Sequence, residues 1–266
     1  LAEHLDEDQA VTSEGIDRLV DYVTTARLAA EDKGCATVLA FATSAVRDAV
    51  NADDVIDRVG SKGGIDLQVL AGADEARLTF LAVRRWFGWS AGRLGVFDIG
   101  GGSLELAVGS DETPDVATSV PLGAGRLTRE WLDAGRSAAE LRTYVRTSIA
   151  EQAGPILRGG AFDKAVATSK TFRSLGRILG AAPSSEGQYV PRTLAREDLA
   201  PLVERLGELS DDEVADLPGV SANRAHQMRA GAVVAEATMD LFEIDELEIC
   251  PWALREGVLL EHLDQL

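Results

Sequence analysis

The sequence predicts an α/β protein with mixed sheets. Three observations carry that expectation. Apolar runs of strand length alternate with segments of helical period along the whole chain. A run of three glycines separates two neighbouring apolar runs. Hydrophobic residues make up 45% of 266 residues, enough to bury a core, and the length accommodates two domains of ordinary size.

From Ser13 to Lys33 the residues Ile16, Leu19, Val20, Val23, Ala26 and Ala30 recur at helical spacing, with Thr12 or Ser13 to cap the start and Gly34 to close the end. Thr37–Ala42 reads as a short apolar strand. It runs into Thr43-Ser44, an N-cap for a helix through Val46, Arg47 and Val50. A second strand, Asp66–Leu70, precedes a turn at Gly72 and a helix over Asp74–Phe87. Gly88-Trp-Ser-Ala-Gly92 has loop chemistry and marks the expected passage between two domains, 1–90 and 91–266. Leu94–Ile99 and Leu104–Val108 are strands on either side of Gly100-Gly-Gly-Ser103. Helical segments fill 126–153, and Lys164–Leu175 repeats the order strand, turn, helix. Helices near 195–208 and 222–241, a strand at Glu246–Cys250 and a helix from Trp252 complete the chain.

A formal net charge of −18 argues against a broad nucleic-acid or membrane surface. No run approaches the ~20 apolar residues of a membrane helix, and the polar opening Leu-Ala-Glu-His-Leu-Asp-Glu-Asp is unlike a signal peptide. Any polyanion site in such a chain must be locally basic or take its positive charge from a divalent cation. Cys35 and Cys250 are expected to be two buried thiols in a reducing cytoplasm. His4, His226 and His262 lack metal-ligand spacing.

The chemistry concentrates at Asp98-Ile-Gly-Gly-Gly-Ser103. Consecutive glycines allow a sharp turn with positive φ and close approach of a ligand. Their N–H groups can form an anion nest, to which Ser103 adds a hydroxyl. Asp98 just before the loop is placed to hold a metal that bridges to phosphate, and a second acid, Glu105, follows just after the loop. The loop is not a Walker A motif, lacking the Gly-Lys-Ser/Thr ending and the following helix. Thr43-Ser-Ala-Val-Arg47 and Thr168-Ser-Lys-Thr-Phe-Arg173 each place hydroxyls and N–H groups at an expected helix N-terminus. Arg47, Lys170 and Arg173 would supply the local basicity. Glu75 falls in the first turn of a helix, where a carboxylate either complements the macrodipole or serves as a base.

Taken together, Thr43-Ser-Ala-Val-Arg47, Gly72…Asp-Glu-Ala-Arg-Leu78, Asp98-Ile-Gly-Gly-Gly-Ser-Leu-Glu-Leu106 and Ala253-Leu-Arg-Glu-Gly-Val-Leu259 resemble, in order and spacing, the Ppx/GppA family of exopolyphosphatases and guanosine pentaphosphate phosphohydrolases in its short two-domain form. The resemblance implies an actin-like fold of two ribonuclease-H-like lobes around a cleft, with the terminal helix 252–266 packing back on the first lobe. It implies Mg²⁺-dependent removal of terminal phosphate from inorganic polyphosphate, or from guanosine pentaphosphate, by a cytoplasmic homodimer that binds neither nucleic acid nor membrane. By the same resemblance Glu75 is the catalytic base, and Asp98 and Glu105 serve metal and water. Gly100, Gly101, Gly102 and Ser103 form the second phosphate loop, while Thr43, Ser44 and Arg47 contact phosphate from the first lobe. Arg255 and Glu256 in the terminal motif have a structural role. Family members begin with a strand, an Asp-x-Gly-Ser-Asn type loop and a second strand; this sequence is expected to start after them. A non-catalytic polyphosphate or alarmone sensor and a sugar kinase or ATPase are the competing readings.

Overall fold

The described residues of the computed structural model are 4–6 and 8–266. They fall into two units, Leu1–Gly72 and Ala73–Leu266. In the first, helix α1 (Ser13–Asp32) starts where the Thr12 hydroxyl accepts from the Gly15 N–H at 3.2 Å, and ends before Gly34 at φ 71°. Its buried face, Ile16, Val20 and Val23, shares a core with Val55 and Val59 of α3 (Ala52–Gly63). Strands β1 (Ala40–Ala42) and β2 (Leu67–Val69) pair in parallel.

Several expectations are corrected in this unit. Strand β1 begins at Ala40 rather than Thr37, because β2 offers only three residues to pair with. Helix α2 (Ser44–Arg47) ends after four residues instead of continuing through Val50, whose N–H turns away to the carbonyl of Gln9. Thr43 makes no side-chain cap there.

The second unit is built on a mixed six-stranded sheet in the order β5-β4-β3-β6-β8-β7. Its strands are β3 (Leu94–Ile99), β4 (Leu104–Gly109), β5 (Val116–Val120), β6 (Lys164–Thr168), β7 (Thr193–Ala195) and β8 (Glu246–Ile249). β3, β4 and β5 form an antiparallel meander, β6 and β8 run parallel to β3, and β7 closes one edge antiparallel. The two-residue period of a strand assigns its faces. Phe97, Ile99, Leu104 and Leu106 join the core with Leu141, Val145 and Ile149 of α6 (Ala138–Leu157) and Val233 and Val234 of α10 (Met228–Leu241). The alternate residues Val96, Ala107 and Val166 pack with Ala76, Phe80 and Val83 of α4 (Gly72–Phe87). Asp98, Glu105 and Thr168 share the parity of that second set and so lie on the face covered by α4. The remaining helices are α5 (Ala124–Leu127), α7 (Ser169–Ile178), α8 (Leu199–Glu208), α9 (Asp211–Ala215) and α11 (Leu254–Asp264).

This packing moves the division between units from the expected 90/91 to 72/73, since α4 buries its apolar face on the second sheet. Arg84 on α4 is fully buried and donates to the carbonyls of Gly88, Gly92, Gly109 and Asp111, so segment 88–92 is pinned to the second unit. The terminal helix packs on α4 within that unit: a Cβ on Gly257 would lie 2.0 Å from the Leu78 carbonyl oxygen, and Arg77 and Arg85 pair with Glu261 and Asp264. Glu256 accepts from the Ala253 N–H at 2.8 Å, capping α11, while Arg255 is exposed. Of the two cysteines, both free, Cys250 is buried but Cys35 is exposed, contrary to expectation. No helix among the described residues is long and apolar enough to cross a membrane.

Candidate active site

The strand register sets the centre of the site. Ser119, Glu105, Asp98 and Thr168 stand opposite one another on β5, β4, β3 and β6, forming one polar row across four adjacent strands. Opposed residues project to the same face, so the row is contiguous. At its ends the Ser119 hydroxyl donates to Glu105 Oε1 at 2.9 Å and the Thr168 hydroxyl donates to Asp98 Oδ2 at 3.1 Å. Glu75, half-buried in the first turn of α4, adds a third carboxylate within electrostatic reach of Glu105.

Burial and repulsion work against ionising these acids together. Desolvation above all, then the charges of Glu75 and Asp98, push Glu105 up to about 8 against hydrogen bonds from Ser103 and Ser119. Asp98 retains some exposed surface, yet the protein around its carboxyl raises it to about 6. The Thr168 hydroxyl and the guanidiniums of Arg173 and Arg224 act in the opposite direction. Arg224 carries no motif in the sequence. It comes from the turn 222–227, is itself desolvated, and is held by a 3.0 Å bond from Nη2 to the Thr171 hydroxyl. Only the tertiary structure brings it to Asp98.

The glycine loop follows directly from β3. The Ala124 N–H donates to Gly100 O at 3.0 Å and the Arg126 N–H to Gly101 O at 2.9 Å. A trans peptide directs its N–H opposite to its carbonyl. Since those two carbonyls point at α5, the N–H groups of Gly101 and Gly102 point away from it, as an anion nest requires. Neither Gly100 nor Gly101 has the positive φ anticipated for the loop. Close approach excludes a side chain at Gly123, which abuts the loop, but not at Gly101. A Cβ on Gly123 would sit 2.3 Å from the carbonyl carbon of Gly102, whereas one on Gly101 would meet nothing within 4 Å. Ser103 is buried with its hydroxyl turned to Glu105, so it supports the acid instead of facing a ligand as a loop donor.

Of the other expected phosphate residues in this unit, Lys170 is exposed in the first turn of α7. Arg173 is half-buried and reaches both Asp98 electrostatically and the Pro251 carbonyl at 3.4 Å. Between Thr168 and Lys170, Ser169 holds φ at 85°, a strained conformation for a non-glycine residue. Thr43, Ser44 and Arg47 lie on the first unit, just after β1. There Arg47 bonds Asp48 and the Leu70 carbonyl. The four-residue α2 has too little length for a macrodipole argument.

Among the described residues no group of three or more His, Cys, Asp or Glu side chains is arranged to hold a metal. Asp98 and Glu105 still fit a hard dication. They are adjacent in register, and each loses charge to burial, a deficit that a divalent cation would offset. Mg²⁺ commonly takes one or two carboxylates and completes its shell with water and substrate phosphate.

A sequence model of the Ppx/GppA phosphatase family matches residues 1–266. Exopolyphosphatase 1 of Mycobacterium tuberculosis is 52% identical over 268 residues, covering 99% of this chain and 78% of that protein. Guanosine-5'-triphosphate,3'-diphosphate pyrophosphatase of Vibrio atlanticus is 28% identical over 100% of this chain and 52% of that protein. The crystal structure of an exopolyphosphatase from Cytophaga hutchinsonii superposes with a TM-score of 0.83 at 24% identity, covering 97% of this chain and 85% of that one. The fold is that of the actin-like proteins.

Proposed function

The chain belongs to the Ppx/GppA phosphatase family, and from that premise we propose that it is an exopolyphosphatase, hydrolysing the terminal phosphoanhydride bond of inorganic polyphosphate. The observation that carries this reading is the glycine loop, whose Gly101 and Gly102 N–H groups turn away from α5 beside a row of acids. Such a site can grip an oxyanion while activating water next to it. The mycobacterial exopolyphosphatase, 52% identical across nearly the whole chain, supports the choice of substrate.

Phosphoryl transfer to water needs positioning and electrostatic stabilisation more than covalent chemistry. The N–H groups of Gly101 and Gly102, with Arg173 and Arg224, bind the oxygens of the terminal phosphate, and Lys170 adds charge at the rim. Glu75 accepts a proton from the attacking water. The water oxygen bonds to the terminal phosphorus as the bridging P–O bond breaks, leaving a chain one phosphate shorter and one orthophosphate. Asp98 and Glu105 would hold Mg²⁺, which neutralises charge on the phosphates when bound. The hydroxyls of Thr168 and Ser119 fix these two carboxylates, and Ser103 assists Glu105. On the first unit, Thr43, Ser44 and Arg47 bind phosphate as well. Each unit corresponds to one ribonuclease-H-like lobe, and the protein acts as a cytoplasmic homodimer. Guanosine pentaphosphate offers the same bond, and the Vibrio relative makes it the second reading.

The test is Mg²⁺-dependent phosphate release from polyphosphate by wild type and Glu75→Gln. Loss of a general base lowers turnover by about 10²-fold or more. Equal release by both proteins would place the base elsewhere. Polyphosphate binding without release by either would make the protein a sensor.

A further inference from the structure

Beside the acid row, a cavity of about 170 Å³ opens between α7, the segment 181–192 and the end of β8. Its charged lining is Arg173, Arg177 and Arg192; no carboxylate lines it, in a chain of net charge −18. No residue of the glycine loop lines it either. Arg192 spans the segment, donating through Nε and both Nη atoms to the carbonyls of Ala182, Pro183, Gly187 and Val190. Arg177 bonds the Ala181 carbonyl. These acceptors are neutral, so the bonds leave the charges of Arg177 and Arg192 uncompensated. Arg173 has the weakest hydrogen bonding of the three, although Asp98 lies within its electrostatic reach: its Nε is buried without a hydrogen-bond partner, and its bond to Pro251 O is long at 3.4 Å.

Three guanidiniums around one small cavity repel each other unless an anion separates them. Size narrows the class of ligand. Sites for organic ligands enclose about 300–1,000 Å³, while a water in the liquid takes ≈ 30 Å³. A cavity of this size has room for one tetrahedral oxyanion with a few waters but not for a nucleoside.

We propose that the cavity lined by Arg173, Arg177 and Arg192 is a second oxyanion site that takes one phosphate group, distinct from the glycine-loop site. Arg173 is common to the cavity and to the surroundings of Asp98, which couples the two sites. The source of the phosphate is either an internal unit of the bound polyphosphate or free orthophosphate; only that assignment rests on the phosphohydrolase reading.

Ser184 and Gln188 are exposed residues of the cavity lining, so carboxylates there repel an anion without disturbing the core. The experiment is equilibrium dialysis with labelled orthophosphate on wild type, the double variant Ser184→Asp/Gln188→Glu, and Arg177→Gln. Two phosphates bound per wild-type chain, with one lost or weakened about tenfold in both variants, is the expected result. A single phosphate per wild-type chain, or unchanged binding in both variants, overturns the proposal. Kinetics then separate the sources. A raised KM for long polyphosphate, with tripolyphosphate unaffected, identifies an internal unit. Unchanged KM values with loss of inhibition by orthophosphate identify the free ion. If the wild type hydrolyses no polyphosphate, the functional reading falls while the dialysis still decides the cavity.

Discussion

Replacing Gly123 by alanine tests whether the segment leading into α5 shapes the glycine loop. The added Cβ would lie 2.3 Å from Gly102 C and 2.4 Å from both Gly102 N and Ser103 N. Carbon contacts are comfortable at about 3.5–4.0 Å, so the loop backbone must retreat by about 1 Å. Backbone is the obstacle, and no flexible side chain can yield in its place. Forced overpacking of this kind costs about 1–3 kcal/mol, which lowers the Tm by roughly 2–12 °C at about 2–4 °C per kcal/mol. The same displacement moves the Gly101 and Gly102 N–H groups, and a misplacement of about 1 Å lowers turnover by about 10²-fold. Gly101→Ala is the matched control. Its Cβ meets no atom within 4 Å, so the Tm should hold while the methyl, set in space left for substrate, raises KM. Thermal melts and phosphate release at saturating polyphosphate measure both effects. Wild-type Tm and kcat in Gly123→Ala would refute the idea that this contact holds the loop. An unchanged KM in Gly101→Ala would remove substrate from its open side.

Glu105→Gln should stabilise the metal-free protein at alkaline pH. The folded state holds the Glu105 carboxyl up at about 8 against an ordinary 4.5, so between those values the folded chain binds more protons than the unfolded one. The contribution of Glu105 to stability is therefore greatest below about pH 4.5 and is lost as pH rises through about 8, a change on the order of a few kcal/mol. Melts at pH 5 and pH 9 should show the variant's advantage growing with pH; a constant difference would contradict the burial argument. Arg84→Met leaves the carbonyls of Gly88, Gly92, Gly109 and Asp111 without their shared donor. At about 1–3 kcal/mol for each acceptor left dry, a loss of at least ~3 kcal/mol is expected in denaturant titration. Arg84→Lys should not restore it, because an ammonium cannot match the fork of a guanidinium.

What the sequence disclosed and what it hid follow from the range of the forces involved. Local signals were sufficient for α1, whose periodic apolar face and Thr12 cap lie within its own residues, and for β3 and β4 around the glycines. Strand β7 and helix α9 escaped because three and five residues carry too little pattern to register. Strand β5, Val-Ala-Thr-Ser-Val, lacks a clear alternation of apolar and polar residues and exists because β4 pairs with it. The acids Glu75, Asp98 and Glu105 were legible because they flank a glycine loop or open a helix. Arg224, Thr168 and Ser119 act on those acids through tertiary contacts, and strand register alone makes Thr168 and Ser119 neighbours of the acids.

That register also answers the objection that a chain of charge −18 should repel a polyanion. The site is governed by the few groups that reach it, since exposed charges more than a Debye length away, about 8–10 Å, are largely screened. At the acid row, burial and mutual repulsion have already suppressed part of the negative charge of Glu105 and Asp98, while Arg173 and Arg224 face Asp98. On the proposed function, an arriving phosphate would meet partly neutralised carboxylates, the N–H groups turned away from α5 and two guanidiniums. The acidic remainder of the surface favours solubility, and on that reading these near neighbours would set the loop's affinity for phosphate.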